Sequence, residues 1–234
     1  MKAVIQAGGK GARLRPYTLV LPKPLMPIGD LPVIETLLKW LRRNGIEETY
    51  VTVGYLGHLI RALCGNGSQW DMKICYSEEP EPLGTVGALN LLRDHLDETF
   101  LMLNGDLLTD IDLGAFVSFH KKMGSMVTVA VTTKEVKVDL GVLESVNHVV
   151  TGFKEKPVME FKVSMGIYCM EPEVLALIPR GVPFGFDDLM HVMLAREIPV
   201  HIFEHRGLWM DIGRPEDFQR AQEYISENGA ILGT

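Results

Sequence analysis

Apolar residues recur along this chain at two spacings that alternate. Short apolar and β-branched runs, Ala3-Val4-Ile5, Thr49-Tyr50-Val51-Thr52-Val53, Lys73-Ile74-Cys75-Tyr76 and Phe100-Leu101-Met102-Leu103, read as strands. Between the first two, Val33, Ile34, Leu37, Leu38 and Leu41 recur at helical spacing behind Asp30-Leu31-Pro32 until Gly45 stops them. A second helix is expected over about 56–63, and Gly65-Asn66-Gly67-Ser68 turns the chain into the next strand. An acidic loop after Tyr76 feeds a third helix at about Gly84, and a fourth covers 113–122, with Asp110 and Asp112 suited to a turn and to its N-cap. This rhythm predicts an α/β fold: a mostly parallel, mixed central sheet flanked by helices, with ligands beyond the carboxyl ends of the strands.

From Ser125 the pattern changes to strand after strand, over 126–131, 141–145, 149–154 and 162–169. A helix beginning around Phe184-Gly185-Phe186-Asp187-Asp188 then runs to about Glu197, with Asp187 or Asp188 as its cap. A strand over 199–204 and a last helix from Pro215 to Gly229 complete the reading. At 234 residues, one domain over 1–234 is the expectation.

Composition narrows the class. The residues are 47% hydrophobic and 23% charged, and the net charge of -7, without a basic face interleaved with aromatics, argues against nucleic acid as a partner. No apolar run reaches 18 residues, and the opening Met-Lys-Ala-Val-Ile meets glycines and charges too soon for a signal peptide. A cytoplasmic chain with no membrane partner is expected. Cys64, Cys75 and Cys169 are isolated and odd in number, so reduced core thiols are expected rather than a zinc site or disulfides.

Local charge changes the picture over 7–27. Gly8, Gly9 and Gly11 allow the backbone to bend and bring its N–H groups against an anion, and Lys10, Arg13, Arg15 and Lys23 surround that bend. No Asp or Glu precedes Asp30, so an acidic chain opens on a purely basic, glycine-rich stretch suited to a polyanion. A Walker loop is excluded because Gly9-Lys10 is followed by Gly11, and the dinucleotide fingerprint because Leu14 stands where its third glycine belongs.

Gly8-Gly9-Lys10-Gly11-Ala12-Arg13-Leu14-Arg15-Pro16, followed by Pro22-Lys23-Pro24-Leu25, resembles the signature of the sugar-1-phosphate nucleotidyltransferases, also called nucleotide-sugar pyrophosphorylases. Ala12 departs from the usual Thr. Further motifs resemble that family in order: Leu83-Gly84-Thr85, Gly105-Asp106, Leu140-Gly141, Glu155-Lys156-Pro157, Ser164-Met165-Gly166-Ile167-Tyr168 and Trp209-Met210-Asp211-Ile212-Gly213-Arg214-Pro215. The match is nearest to the mannose-1-phosphate guanylyltransferase-like members. Leu140 replaces an aromatic, and Ser164 an Asn.

The resemblance implies a Rossmann-like nucleotide-diphospho-sugar transferase fold, with residues 1–125 holding nucleotide and 126–234 the sugar phosphate. It implies that Gln6, Ala7, Gly8, Gly9, Gly11, Glu79, Glu81, Gly84 and Thr85 bind the nucleotide, and that Gly141, Glu155 and Ser164 bind the sugar. Arg13 would hold the departing pyrophosphate, Lys23 the α-phosphate and Lys156 the attacking phosphate, while Asp106 and Asp211 would hold Mg2+. Physically, Asp106 follows a strand end, and a hard cation bridging phosphates takes few protein carboxylates.

Pyrimidine-reading members carry Gln five positions before the loop glycine, where this chain has Glu79. An ionised carboxylate only accepts, which matches the two adjacent donors of guanine and repels the carbonyl of uracil or thymine. GTP is therefore favoured, with Glu79 or Glu81 as reader, over UTP or dTTP; a solvated acidic loop is the plain alternative. The expected reaction joins a nucleoside triphosphate to a sugar 1-phosphate of mannose or heptose type, with glucose or an amino sugar as alternative. A non-catalytic sensor of nucleotide-sugars is the rival from another class, against which the full set Arg13, Lys23, Asp106, Lys156 and Asp211 speaks. The apolar helix surfaces would permit a homodimer, and without a hexapeptide-repeat tail no second acyltransferase activity is expected.

Overall fold

The computed structural model describes residues 1–228; the expected end of the last helix at Gly229 lies outside them. Among the described residues, seven strands form the central sheet. Their spatial order is Val200–Glu204, Val127–Lys137, Val158–Met170, Phe100–Asn104, Lys2–Gln6, Glu48–Val53 and Lys73–Glu78. The last four are mutually parallel, and Val200–Glu204 is parallel to Val127–Lys137. Val158–Met170 runs antiparallel to both its neighbours, so the sheet is mixed and mostly parallel, as the pattern predicted.

Both faces of the sheet are buried, which is why its central strands read as continuous apolar runs. Ala3, Ile5, Leu101, Leu103, Ile167 and Cys169 pack on one face against helix Val33–Arg43 and the Phe116 side of helix Leu113–Met123. The alternating Val4, Phe100, Met102, Tyr168 and Met170 pack on the other, against Leu89, Leu92, Val174 and the Leu189 and Met193 side of helix Phe186–Ala195. Helix Val33–Arg43 buries the positions its spacing singled out, Val33, Ile34, Leu37, Leu38 and Leu41, each worth about 1.5–3 kcal/mol on leaving water. Asp112 caps helix Leu113–Met123 by accepting from the Ala115 N–H at 2.9 Å.

Three local expectations change. Helix Phe186–Ala195 is capped by Gly185, not by Asp187 or Asp188: the chain is extended at Gly185, and Asp188 accepts from its N–H at 2.8 Å from within the first turn. The helix expected at about Gly84 is one turn, Gly84–Gly87, tightening into a 3-10 stretch Ala88–His95. The N–H groups of Val86 and Gly87 both donate to the Phe184 carbonyl, which docks that turn on a distant segment. Strand Val127–Lys137 extends well past 131, because its polar outer half is held by the ladder to 158–164 rather than by burial.

One internal polar group shapes the pH dependence of stability. His120 is fully buried, with Nε2 donating to Glu171 Oε1 at 3.1 Å and Nδ1 accepting from the Thr128 hydroxyl at 2.8 Å. Burial pushes its imidazolium below the ordinary histidine value, and Glu171 pulls the other way while Lys121 and His201 add to the lowering. The unfolded chain therefore binds a proton that the folded one refuses. Stability from this group is complete above about pH 6.5 and is lost as pH falls from there toward the folded value. His120→Leu is expected to cost about 1–3 kcal/mol at pH 8, by leaving the buried Thr128 hydroxyl without its acceptor and Glu171 with Thr99 as its remaining side-chain donor, and to flatten the decline between pH 7 and 5.5. Urea midpoints of both chains across that range check it; parallel pH profiles would sink the assignment.

Candidate functional site

The parallel strands Lys2–Gln6, Glu48–Val53 and Phe100–Asn104 end side by side, with Gln6 opposite Thr52 on one side and Asn104 on the other. The chain leaves this edge through Gly8-Gly9-Lys10-Gly11. A Cβ at Gly8 would stand 2.4 Å from Glu79 Oε1, so a side chain there would push the Glu79 carboxylate away from the bend. Gly11 sits in the left-handed region at φ 58°, and the Thr18 hydroxyl donates to its carbonyl at 2.8 Å. Ala12–Leu14 then makes a 3-10 turn that carries Arg13.

Two cavities open at this edge and share Gln6, Gly9 and Asp106. The first, about 280 Å³, is also lined by Ala7, Gly11, Ala12, Arg13, Lys23, Pro24 and Gly105. The second, about 290 Å³, is lined by Gly8, Glu79, Pro82, Gly84, Thr85 and Asn104. A basic cavity thus adjoins one walled by a carboxylate and a turn of backbone. Lys10, Arg15 and Glu81 are exposed and line neither. Asn104 was not singled out from the sequence; its signal is that it stands across from Gln6, two residues before Asp106.

The charges meet in the first cavity. The Lys23 ammonium lies against Asp106 Oδ2 and 3.5 Å from Asp211 Oδ1, with Lys23 and Asp106 side chains 12% and 15% exposed. Burial pushes the Lys23 ammonium below the ordinary lysine value; Asp211 holds it up and Arg13 presses it further down. The two aspartates meet because strand Leu107–Thr109 pairs antiparallel with Trp209–Asp211, while the Ile212 N–H donates to the Asp106 carbonyl at 3.0 Å. A Cβ at Gly213 would lie 3.1 Å from Asp211 Oδ2 and 3.4 Å from Arg13 Nη2, which places the guanidinium beside the same group.

Asp106 Oδ1 is buried without a hydrogen-bond partner. An orphaned carboxylate oxygen and a second carboxylate, bridged by an ammonium where a cation would stand, fit a divalent ion. No cluster of three or more His, Cys, Asp or Glu side chains suited to a metal occurs among the described residues, so such an ion would take its other ligands from phosphate and water.

In the second cavity, Glu79 Oε2 accepts from the Leu83 N–H at 2.9 Å, which closes the loop and leaves Oε1 toward Gly8. Burial raises the Glu79 carboxyl above the ordinary glutamate value, and the Leu83 bond opposes that rise. Thr85 spends its hydroxyl accepting from the Phe186 N–H at 3.0 Å.

The second half of the chain presents its residues differently. Gly141, Glu155 and Lys156 are exposed, on a β arm that includes the hairpin Val142–Val146 and Val149–Lys154, and they line neither cavity. Gly141 and Glu155 are neighbours, since a Cβ at Gly141 would lie 3.2 Å from Glu155 Oε2. The Ser164 hydroxyl donates to the Tyr168 hydroxyl and accepts from the Gly166 N–H, both at 3.2 Å, at a bulge in strand Val158–Met170. The residue is exposed, while its hydroxyl is engaged within its own strand. A Cβ at Gly166 would stand 2.4 Å from Asn104 Nδ2, so the bulge packs against the floor of the second cavity.

Residues 2–228 match the family profile described as nucleotidyl transferase. A mannose-1-phosphate guanyltransferase of Aspergillus oryzae is 37% identical, over 93% of this chain and 62% of its own length. A UTP–glucose-1-phosphate uridylyltransferase of Synechocystis sp. is 34% identical, over 94% and 62%. The chain therefore spans less than two thirds of either relative. A solved Bacillus anthracis structure assigned as a glucose-1-phosphate thymidylyltransferase, in complex with a sucrose, superposes with a TM-score of 0.76 at 25% identity, covering 96% of this chain and 94% of that one.

Proposed function

The chain belongs to the nucleotidyl transferase family, and we propose that it moves a nucleotidyl group from a nucleoside triphosphate, GTP by preference, to a sugar 1-phosphate of mannose or heptose type. The observation that carries this is the convergence of Arg13, Lys23 and Asp106 on one cavity, with Asp211 3.5 Å from the Lys23 ammonium, next to a second cavity walled by Glu79. Relatives named for guanyl and uridylyl transfer support the common chemistry and leave the base to the loop. Residues 1–125 take the nucleotide and 126–234 the acceptor.

An oxygen of the acceptor phosphate attacks the α-phosphorus in line with pyrophosphate. The new P–O bond forms as the bond to the pyrophosphate oxygen breaks, and pyrophosphate leaves with that electron pair. A phosphate dianion is already a nucleophile, so the protein's work is alignment and charge neutralisation. The glycine bend offers backbone N–H groups, Arg13 holds the departing pyrophosphate, Lys23 the α-phosphate and Lys156 the attacking phosphate. Asp106 and Asp211 would hold a divalent cation, magnesium by preference, which when bound neutralises charge between the phosphates. Gly141 and Glu155 meet the sugar, with Ser164 shaping the wall behind it.

Glu79, rather than the exposed Glu81, reads the base. Its Oε2 retains a lone pair beside the Leu83 bond, and its ionised form accepts from both guanine donors. Because burial raises its pKa, guanine preference weakens as pH falls toward that value. Glu79→Gln keeps a carbonyl oxygen for the Leu83 N–H and is expected to shift preference from GTP toward UTP and dTTP by on the order of 10- to 100-fold, equivalent to about 1–3 kcal/mol.

The test is pyrophosphate release from each nucleoside triphosphate, with magnesium and a panel of hexose, heptose and N-acetylhexosamine 1-phosphates. Release with GTP, shifted by Glu79→Gln, supports the reading. Release with UTP or dTTP in the unaltered chain sinks the guanine assignment alone, and no release from any pair puts nucleotide-sugar sensing in its place.

The same reading places the chain in the cytoplasm; no helix among the described residues is long and apolar enough to cross a membrane. It also includes a homodimer, for which the exposed Leu140, Leu143, Val149, Phe153 and Phe161 of the arm supply surface.

A further inference from the structure

We infer that the side-chain amide of Gln6 binds the α-phosphate of the nucleotide, and that Thr52 holds that amide in the orientation to do so. This rests on the nucleotidyl-transfer reading above. Gln6 ends the central strand Lys2–Gln6 and is common to both cavities, together with Gly9 and Asp106. It therefore stands where the part of the ligand in the basic cavity joins the part in the Glu79 cavity. In a nucleoside triphosphate that junction is the α-phosphate.

The amide's orientation follows from one proton. The Thr52 hydroxyl lies 2.8 Å from Gln6 Oε1 and 3.4 Å from the Ile5 carbonyl, so its hydrogen goes to Gln6. Thr52 is fully buried on the neighbouring strand and directly opposite Gln6 in register. With Oε1 engaged, Nε2 points away from Thr52, and it is buried with no acceptor among the described residues. An amide N–H left without a partner destabilises the fold unless something else accepts from it.

The flanking Ile5 and Ala7 are apolar and buried, so Gln6 is the polar side chain that this strand end delivers to the cavities. The arrangement makes sense when an anionic oxygen arrives. Asp106 Oδ1, the orphaned acceptor of the same shared wall, attracts a cation, and Gln6 Nε2 donates to the phosphate oxygen that such a cation accompanies. A neutral amide suits that place beside Lys23 and Arg13, because it fixes the position of the α-phosphorus by direction rather than by charge.

The two consequences of Gln6→Leu have opposite signs, which separates this role from a structural one. In the ligand-free chain the variant removes an unsatisfied donor and lets Thr52 turn to Ile5, so its melting temperature is expected to stay level or rise. In titration calorimetry, binding of the triphosphate that the chain turns over is expected to weaken roughly 10- to 100-fold, while binding of the corresponding nucleoside is unchanged. Thr52→Val, acting through the amide, is expected to lower kcat more than it raises KM. Gln6→Asn, one methylene shorter, withdraws the amide without changing its polarity and must show the same selective loss should leucine collapse the fold.

A Gln6→Leu chain that binds triphosphate as the unaltered chain does, or that loses nucleoside affinity equally, overturns the assignment. So does a lower melting temperature accompanied by unchanged relative affinities. An unaltered chain that binds no triphosphate overturns the nucleotidyl-transfer reading itself, and this one with it.

Discussion

An Asp106→Ala chain is expected to lose pyrophosphate release by on the order of 10³-fold, in the range seen when a group acting on transition-state charge is removed. Asp106 is the side chain on which the site converges: it borders both cavities, its Oδ2 meets the Lys23 ammonium, and its Oδ1 has no protein partner. Alanine removes both oxygens at once. It leaves Lys23 largely buried with Asp211 as its nearest remaining carboxylate, at 3.5 Å. The fold should survive, because the Ile212 N–H bonds the Asp106 backbone carbonyl, which alanine retains. Unchanged near-UV circular dichroism with turnover within fivefold of the unaltered chain would show that Asp106 is only a partner for Lys23.

Lys23→Met is expected to lower turnover by on the order of 10²- to 10³-fold and, in the absence of nucleotide, to tighten Mn2+ binding about tenfold or more. Both effects come from one geometry. The ammonium stands between Asp106 and Asp211, so a divalent ion entering the free site meets a like charge held among its own ligands. Methionine keeps the stem's volume in a segment packed by the buried Pro22, Pro24 and Leu25, and removes the charge. In the unaltered chain the phosphates of the nucleotide would draw Lys23 away and open the carboxylates. Electron paramagnetic resonance titration of free Mn2+ measures the second effect without turnover, and a variant that binds Mn2+ no better than the unaltered chain would sink the account of Lys23 as an occupant of the cation position.

Much of the fold is legible because its signals are local. The helical spacing of Val33, Ile34, Leu37, Leu38 and Leu41 lies within one element, and their burial follows wherever that helix docks. Phe100-Leu101-Met102-Leu103 reads as a strand covered on both faces because neither alternate set contains a polar residue. Capping at Asp112 is local too. Where a terminus depends on a distant group, reading along the chain falls short: the first-turn N–H groups of Val86 and Gly87 in Gly84–Gly87 are satisfied by the carbonyl of Phe184, about a hundred residues away.

The candidate site divides in the same way. The glycine bend with its cations, and a carboxylate at the end of a buried strand, are visible as chemistry in short stretches of chain. Strand Leu107–Thr109 and strand Trp209–Asp211 have three residues each, too few for periodicity, yet their pairing is what joins Asp106 to Asp211. The choice between Glu79 and Glu81 is likewise a matter of which carboxylate the loop turns against Gly8. Ser164 looks free as a letter in the chain, and its hydroxyl is spent on Tyr168 and Gly166 only because the strand bulges there.

By itself, then, the order of residues determined the main helices and strands, that they alternate into an α/β sheet, and which side chains could meet phosphate, a base or a cation. Tertiary structure alone decided which of those side chains share a cavity, that Lys23 stands between two aspartates, and that the Gln6 amide is left a donor without an acceptor. The physical reason is one of range. Helical and strand periodicity, turn chemistry and charge are set by neighbours within a few residues, whereas the distance between groups far apart in the chain depends on sheet register and packing.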